Sequence, residues 1–350
     1  MRVVNRVVLA PNWLGDAVMS LPALAALVAG TPDQNWTVLA RPSVAPIYRM
    51  ARLPVRVEPL AHRRLPRLEG PTREVVIFPN SFHSALLALR LRARRRIGYA
   101  RDRRGWLLRP AFPPPAPGSL PGHESFYYLE LLRLAGFIAS LPPETPARLR
   151  VPLHPDAALL SQWRQTLVPS RSASGPQASI VALHAGSTFG SAKCWLTERF
   201  AELAGELARR GATVVLIGSA AERELARKVR MLAPHPAQIK NLVGETSLED
   251  LVALLAVADL LVANDSGPMH VAGAVGTPVV ALFGSTNEKE TYPLTEDGKL
   301  NLIKAPGIAC SPCKLRECPI DHRCMERISV RTVLAAVEDA LSQPRRAARL

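Results

Sequence analysis

Apolar and polar residues alternate in blocks along this chain, and the blocks predict strands and helices in turn. Short apolar runs such as RVVNRVVLA (2–10), WTVLARP (36–42) and EVVIFPN (74–80) have the length of buried strands. Longer runs follow them, such as GDAVMSLPALAALVAG (15–30) and SFHSALLALRLRARRR (81–96), and these predict helices. Strands that alternate with helices indicate a parallel sheet covered on both faces.

A second block of the same kind follows residue 178. The first block closes with a proline-rich loop (112–123) and the predicted helix HESFYYLELLRLAGF (123–137). The segment 150–178 ends in Ser, Gly and Pro, which favours a domain boundary there. Beyond it we predict the strands SIVALHAG, ATVVLIGS, DLLVAND and TPVVALFG, and the helices LTERFAELAGELARRG, AAERELARKVRML and SLEDLVALLAVA, the last with Ser247 as its N-cap.

The chain is therefore predicted to be α/β, with two separate sheets and a cleft between them. We place the N-terminal domain at residues 1–165, the C-terminal domain at 178–330, and a C-terminal helix and tail at 331–350. A length of 350 residues with 48% apolar content suits two domains. The sequence has no signal-peptide pattern and no run near the ~20 apolar residues of a membrane span. We therefore expect a soluble, cytoplasmic protein.

The net charge of +15 is concentrated in the first half of the chain. Residues 1–150 contain 22 arginines, no lysine and nine acidic residues, whereas residues 151–350 have a net charge of only +2. This asymmetry predicts an anionic partner for the first half: nucleic acid, phospholipid head groups or a phosphorylated glycolipid. A codon-driven arginine bias would raise the total but would not explain the asymmetry.

The first candidate for chemistry is APNWLGDAVMSLPAL, in which a predicted strand leads to Gly15 in a tight turn and to Asp16 at a helix start. The helix dipole favours a carboxylate at that position. Asp16 is either a plain helix cap or a general base that takes a proton from an attacking hydroxyl.

The second candidate is HAGSTFGSAKCW (184–195), where a strand should turn into a helix. Its glycines and hydroxyl residues can bring N–H and O–H groups close to an anion, although the spacing of a P-loop is absent. Lys193 is the first lysine in a chain with 37 arginines and seven lysines. A compact ammonium suits a phosphate, and the alternative is a solvated loop lysine.

The third candidate is LLVANDSGPMHVAGAVGTPVVALFGST. Asp265 and Ser266 are cap residues, Gly267 permits close approach, and Pro268 suits the first helical position. Free N–H groups at such a helix end form an anion site. His270 in the first turn could face the same ligand, or could simply be a partly buried histidine.

These motifs together resemble the ADP-heptose:lipopolysaccharide heptosyltransferases, glycosyltransferase family 9. NDSGPMHVAGAVGTPVVALFG is similar to their nucleotide-sugar signature, APNWLGDAVMSLPAL to their acceptor loop and HAGSTFGSAKCW to their phosphate loop. FPNSFHSALLALRLRARRRIGYARDRRGWLL and the cysteine-rich tail resemble the heptosyltransferase II branch. The chain departs from that branch at Ala185, Cys194 and Leu196, where the branch has Pro, Arg and Pro, but it retains Lys193.

The resemblance implies a GT-B architecture of two Rossmann-like domains, with the acceptor on the first and ADP-heptose on the second. It implies inverting transfer of L-glycero-D-manno-heptose to the lipopolysaccharide inner core, heptosyl-Kdo2-lipid A. By motif, Asp16 is the base, and Lys193 binds the diphosphate and assists its departure. Expected nucleotide-sugar contacts are Ser187, Thr188, Lys193, Glu222 near the ribose, Thr246, Ser247 and Leu248 near the adenine, and Asp265, Ser266, Gly267 and His270. Expected acceptor contacts are Asn12, Trp13, Gly15, Arg96, Arg101 and Arg104.

Release of a nucleoside diphosphate needs positive potential, which many glycosyltransferases supply with a metal held by Asp-x-Asp. This chain has no Asp-x-Asp, and a helix N-terminus together with Lys193 could supply that potential. We therefore expect no metal or other cofactor. Because the base and the phosphate site lie on different domains, we expect hinge closure to bring them together.

Two further features leave alternatives open. The run RLRARRRIGYARDRR (90–104) is either a solvated basic face or a contact with the lipopolysaccharide core or with anionic lipids of the inner membrane, with Tyr99 and Trp106 at its flanks. The spacing C-x2-C-x4-C-x5-C indicates reduced thiols or zinc, and the second pair is too widely spaced to favour zinc. These four cysteines are Cys310, Cys313, Cys318 and Cys324, with His322 between the last two.

Other functions remain as alternatives at this stage. The nearest is heptosyltransferase I or another family 9 enzyme with a different acceptor, and a nucleotide-sugar epimerase on the same fold is a third. A basic nucleic-acid-binding protein would explain the pI of 10.4, but the chain lacks the motifs of such proteins and its aromatic content is only 5%. We therefore expect no nucleic-acid partner.

Overall fold

The computed structural model describes residues 4–61, 65–68, 70–167 and 178–343. Contacts between residues divide the chain into two compact units, Met1–His154 and Pro155–Leu350. Each unit contains one six-stranded sheet in which all strands are parallel. This confirms the predicted α/β class with two separate sheets.

The first unit has the strand order β3-β2-β1-β4-β5-β6. Its strands are β1 (Asn5–Leu9), β2 (Trp36–Ala40), β3 (Val55–Pro59), β4 (Thr72–Ile77), β5 (Arg95–Tyr99) and β6 (Ala111–Phe112). Its helices are α1 (Leu14–Met19), α2 (Leu21–Gly30), α3 (Ala45–Met50), α4 (Phe82–Arg90), α5 (Ser125–Leu134) and α6 (Pro146–Leu149). The inner strands β1 and β4 are buried by helices such as α4, whose Ala85 and Ala88 belong to the same hydrophobic core as Val7 and Val75.

Two helices of this unit differ from the prediction. The predicted helix 15–30 is two helices, and it breaks at Ser20, whose hydroxyl bonds the Ala17 carbonyl at 2.8 Å and the Tyr48 hydroxyl at 2.9 Å. Because α1 begins at Leu14, Gly15 lies inside this helix and not in a tight turn. The predicted helix 81–96 ends at Arg90, because its last residues begin strand β5.

The second unit has the strand order β12-β11-β10-β7-β8-β9. Its strands are β7 (Ile180–His184), β8 (Thr213–Leu216), β9 (Ile239–Asn241), β10 (Leu260–Asn264), β11 (Val279–Phe283) and β12 (Leu300–Lys304). Its helices are α7 (Ala157–Leu167), α8 (Thr197–Arg209), α9 (Arg223–Leu232), α10 (Leu248–Val257), α11 (Gly267–Val275), α12 (Glu288–Thr291), α13 (Arg323–Glu326) and α14 (Val330–Ser342). The predicted N-cap of α10 is confirmed, since the Ser247 hydroxyl accepts from the Asp250 amide at 3.0 Å.

Helices at both ends of this unit pack on its body. Helix α7, which the prediction of residues 1–165 assigned to the first domain, packs on α10, and Trp163 Nε1 donates to Asp250 Oδ1 at 3.1 Å. Helix α14, predicted as part of a separate tail at 331–350, packs on α8. The Ser-, Gly- and Pro-containing end of the predicted boundary (168–177) lies outside the described residues.

Because all strands of a sheet run the same way, the loops that follow them meet at one edge. In the second unit this edge carries the loops after β7, β8, β9, β10 and β11. In the first unit it carries the loops after β1, β4 and β5. Within the described ranges, every helix falls short of the length and apolar content that a membrane span requires.

Candidate active site

The segment His184–Trp195, here called the phosphate loop, leaves β7 and enters α8. Its glycines allow close packing inside the protein. A Cβ atom at Gly186 would overlap the Glu222 carboxylate, and one at Gly190 would overlap the Arg316 carbonyl. That carbonyl also accepts from the Ala192 amide at 3.0 Å. These glycines are therefore needed for packing within the protein, in addition to the expected close approach of a diphosphate.

Asn264, a residue that the sequence reasoning did not single out, holds both ends of the phosphate loop. Its side chain is fully buried; Nδ2 donates to the Ala185 carbonyl at 2.8 Å and Oδ1 accepts from the Trp195 amide at 2.9 Å. The signal was available in the sequence, since a polar side chain at the end of the apolar strand β10 needs partners when it is buried.

Lys193 is brought next to Asp265, as its Nζ lies 2.7 Å from Asp265 Oδ2 with both side chains largely buried. The same oxygen accepts from the hydroxyl of Thr286 at 2.6 Å, and the ring of Phe189 lies 4.8 Å from the ammonium. A carboxylate that is paired with Lys193 would repel a diphosphate. Asp265 is therefore placed to orient the lysine, and its expected position around the diphosphate and sugar stays a prediction.

The N-terminus of α11 follows β10 at the same edge. Ser266 is its N-cap as predicted, but the hydroxyl bonds the Asn264 carbonyl and His184 Nδ1, both at 2.9 Å, and not the helix amides. Gly267 and Pro268 form the first turn, which presents backbone N–H groups suited to an anion. His270 is buried in this turn.

Glu222 follows β8 and is held from two sides. Its Oε2 accepts from the amide and the hydroxyl of Ser219, at 2.6 Å and 2.8 Å, and its Oε1 lies 3.3 Å from His184 Nε2. Burial alone would raise the pKa of this carboxyl, but His184 and Ser219 together lower the pKa to about 2. The carboxylate is thus ionised, with Oε2 hydrogen-bonded to Ser219 and Oε1 beside His184 without an aligned hydrogen bond.

The remaining donor-site candidates lie in loops at the same edge. Ser187 is half-buried and Thr188 is exposed in the phosphate loop, so their hydroxyls face solvent at least in part. Thr246, Ser247 and Leu248 follow β9. Ser247 is exposed but engaged with Asp250 in a reciprocal helix cap, and Thr246 and Leu248 are half-buried.

On the first unit, Asp16 lies in the first turn of α1, after the end of β1, and is partly exposed. Its charge contributes to the raised pKa values of Tyr48 and Tyr128, for which burial is the main cause. Asn12 and Trp13 precede α1, and the Trp13 ring is exposed. The predicted acceptor loop is therefore open at the carboxyl edge of the first sheet.

Arg104 is not available to an acceptor, contrary to the motif comparison. Its side chain is 0% exposed and donates five hydrogen bonds to atoms of the first unit. Arg96 is also engaged, donating to the Leu107 carbonyl at 2.6 Å and to the Ala93 carbonyl at 2.8 Å. Arg101 is exposed, with the Tyr127 hydroxyl beside its guanidinium.

The flanks of the arginine run differ from each other. Tyr99 is buried, and its hydroxyl donates to the Tyr127 carbonyl at 2.9 Å, so the expectation of Tyr99 at an interface is wrong. Trp106 is 74% exposed, and its ring lies 6.3 Å from that of Phe82, which is 45% exposed. Phe82 and Trp106 therefore form an exposed aromatic pair next to the arginine-rich segment.

The cysteine-rich segment packs on the phosphate loop. All five cysteines of the chain are free thiols. Those at 310, 313, 318 and 324 line one cavity of about 70 Å³ together with His322, whose Nε2 lies 3.1 Å from the Ala192 carbonyl. Burial raises the pKa of the Cys194 thiol to about 11. Across the described part of the chain, no group of three or more Cys, His, Asp or Glu side chains is arranged to hold a metal ion.

Comparison with known proteins agrees with this arrangement. Residues 72–323 match the sequence profile of Glycosyltransferase family 9 (heptosyltransferase). The chain is 30% identical over 310 residues to lipopolysaccharide heptosyltransferase 2 of Salmonella typhimurium, covering 84% of this chain and 86% of the relative. It is 29% identical over 316 residues to the Escherichia coli protein of the same name, with the same two coverages.

Solved structures show the same fold. The E. coli ADP-heptose LPS heptosyltransferase II aligns with a TM-score of 0.77 at 25% identity, covering 96% of this chain and 98% of that one. A family 9 glycosyltransferase of Veillonella parvula aligns with a TM-score of 0.76 at 19% identity, covering 97% and 98%. With the matched profile extending over most of the chain, this protein belongs to glycosyltransferase family 9, the heptosyltransferases.

Proposed function

We propose that this enzyme transfers L-glycero-D-manno-heptose from ADP-heptose to heptosyl-Kdo2-lipid A, the inner-core acceptor of a heptosyltransferase II. The observation that carries the proposal is the buried Lys193–Asp265 pair beside the N-terminus of α11, at the sheet edge where nucleotides bind in such folds. The full-length relatives named above favour the second type of transferase over the first.

The donor site is built to stabilise a departing diphosphate. In the second unit, the ammonium of Lys193 and the first amides of α11 supply positive potential from fixed positions. Asp265 and Thr286 orient Lys193 before the ligand arrives, which avoids the cost of ordering a free lysine. As the bond between the sugar and the phosphate breaks, negative charge grows on the phosphate oxygens that these groups face.

On the acceptor side, Asp16 accepts the proton of the attacking hydroxyl. The oxygen of that hydroxyl bonds to the anomeric carbon while ADP leaves from the opposite face, so a single displacement inverts the configuration. The position of Asp16 in the first turn of α1 favours its ionised form, as a base requires.

The reaction proposed here uses no metal ion, because Lys193 and the helix N-terminus provide the charge. The test measures the metal content of the purified protein and then its rate of heptose transfer with and without excess chelator. Unchanged turnover supports the proposal, and loss of turnover that is restored by one added metal refutes it.

We further propose that the first unit docks on the anionic cytoplasmic face of the inner membrane, where the lipid-linked acceptor lies. Support comes from the exposed pair Phe82 and Trp106 and from the exposed arginines around it, Arg90, Arg101, Arg103 and Arg109. Aromatic rings settle at the level of lipid head groups, and arginines attract anionic lipids at about 1 kcal/mol each.

The decisive experiment for the transfer reaction uses ADP-heptose with two purified acceptors, Kdo2-lipid A and heptosyl-Kdo2-lipid A. Transfer to the heptosylated acceptor alone supports the second type. Transfer to Kdo2-lipid A alone indicates a heptosyltransferase I. Absence of both transfer and ADP-heptose binding by calorimetry refutes the proposed function.

A further inference from the structure

Arg316 lies in the cysteine-rich segment, and its backbone is attached to the phosphate loop. Its carbonyl accepts from the Ala192 amide at 3.0 Å, and a Cβ atom at Gly190 would overlap the same carbonyl. Two residues earlier, the Lys314 amide donates to the carbonyl of Ser285, in the loop after β11, at 2.7 Å. These contacts hold the backbone at Arg316 against two loops of the donor site.

The Arg316 side chain contacts the same aromatic ring as Lys193. The ring belongs to Phe189, which is 37% exposed in the phosphate loop. Arg316 Cζ lies 5.3 Å from the ring centroid and Lys193 Nζ lies 4.8 Å from it. Both distances fall within the range of about 6 Å over which a ring attracts a cation. One ring therefore holds two cations at the phosphate loop, although like charges repel each other.

Only one of these two cations has a carboxylate partner. Lys193 Nζ lies 2.7 Å from Asp265 Oδ2. Two neighbours of Arg316 in its own segment are also paired, each at 2.7 Å, in the pairs Lys314–Glu290 and Arg323–Asp321. Across the described ranges of the chain, no carboxylate forms an ion pair with Arg316, whose side chain is exposed. Its charge is therefore available to an anionic ligand of the loop.

The proposed reaction gives such a charge a use. Asp265 offsets part of the charge of Lys193 before a ligand binds, and the N-terminus of α11 contributes only about half an elementary charge. A departing nucleoside diphosphate carries more than one negative charge. A guanidinium adds a full positive charge and a planar set of donors that matches two phosphate oxygens.

We propose that Arg316 is a further phosphate-binding residue of the donor site, and that Phe189 orients both Arg316 and Lys193 toward the diphosphate of ADP-heptose. This rests on the proposed function. The guanidinium donates hydrogen bonds to phosphate oxygens and stays protonated throughout, so no bond within the protein changes. An anion bound by both cations also removes the repulsion between them.

The experiment measures binding of ADP, inorganic pyrophosphate and adenosine to the full chain by calorimetry. R316M should lower the affinity for ADP and for pyrophosphate about 10-fold at low salt, because a charge-assisted hydrogen bond is lost, and should leave adenosine binding unchanged. R323M is the matched control, since Arg323 is an exposed arginine of the same segment that is already paired with Asp321. It should change each affinity less than about 2-fold.

Two further measurements separate charge from packing. The loss in R316M should shrink as salt is raised from about 0.05 M to about 0.5 M, because salt screens exposed charges. F189L should weaken ADP binding about 3-fold in the wild-type background and less in the R316M background, since the ring acts through the cations that it holds. Thermal unfolding of each variant verifies that it is folded.

An R316M affinity for ADP within about 2-fold of the wild-type value would overturn the role of Arg316. An equal loss in R323M, or a loss that added salt does not reduce, would overturn it as well. A wild-type protein that shows these ADP and pyrophosphate responses but transfers no heptose would refute the proposed function alone.

Discussion

Arg104 provides the sharpest test of how the arginine run is used. The motif comparison assigns it to the acceptor, whereas the structure surrounds it with protein. Its guanidinium donates to the carbonyls of Tyr99, Pro79 and Ser81, to the Ser84 hydroxyl and to Asn80 Oδ1. These bonds tie the loop after β4 to the loop after β5. Burial lowers the pKa of this guanidinium, but an arginine remains charged.

The cost of removing the side chain follows from these contacts. R104A would remove one charged donor from three backbone carbonyls and two side-chain oxygens, where a hydrogen bond to a charged group contributes about 1.5–3 kcal/mol. Four of these acceptors keep a second donor: the Tyr99 carbonyl keeps the Arg101 amide, the Pro79 and Ser81 carbonyls keep Ser84, and Asn80 Oδ1 keeps the Tyr127 hydroxyl. Water entering the vacated space would satisfy some of them, and the protein would no longer carry a desolvated charge. We therefore expect a net loss of about 2–4 kcal/mol in the free energy of unfolding, from the lost hydrogen bonds and the space that the side chain leaves.

The assay is denaturant unfolding of the full chain followed by tryptophan fluorescence and circular dichroism. Arg94→Ala is the matched control, since Arg94 belongs to the same run and is exposed; its change should stay within about 0.5 kcal/mol. An R104A protein with wild-type stability and a raised KM for the acceptor would refute the structural role and restore the acceptor role. A loss of stability below about 1 kcal/mol would also contradict the reasoning.

Four further predictions concern the site and the surface. K193M should lower kcat/KM at least about 100-fold and weaken ADP binding measured by calorimetry, whereas the exposed control K289M should change neither. D16N should keep ADP-heptose binding and lose most turnover, and unchanged turnover would exclude Asp16 as the base. Glu222 has a lowered pKa, so its contribution to stability is present above its unfolded pKa near 4.5 and is lost as pH falls toward about 2. E222Q should lack this loss, of about 1–2 kcal/mol once solvent screening is included, in unfolding measured from pH 6 to pH 2. Replacing Trp106 and Phe82 by serine should reduce sedimentation with phosphatidylglycerol vesicles several-fold, and equal binding by this variant would reject the docking surface.

Much of the fold could be predicted because its signals are local. The apolar runs at β2, β7, β10 and β11 are buried on both faces of a parallel sheet, so each has the pattern of a nearly continuous hydrophobic segment. The short strand β9 and the half-exposed strands β3 and β12 lack that signal and were missed. Strand β5 is predicted as the end of a helix, because its arginines continue the run of arginines that begins in helix α4.

The sequence alone determined that two α/β blocks exist, that their loops carry Asp16, Lys193 and the NDSG turn, and that these motifs resemble family 9. Local patterns are sufficient for that, since strand length, helix caps and motif order are all properties of neighbouring residues.

Only the tertiary structure decided which partner each side chain takes. It buried Arg104 under a loop more than twenty residues away, paired Asp265 with Lys193, and placed Glu222 against Gly186 and His184. Such contacts depend on which strands become neighbours in the sheet, and local sequence patterns do not specify that order.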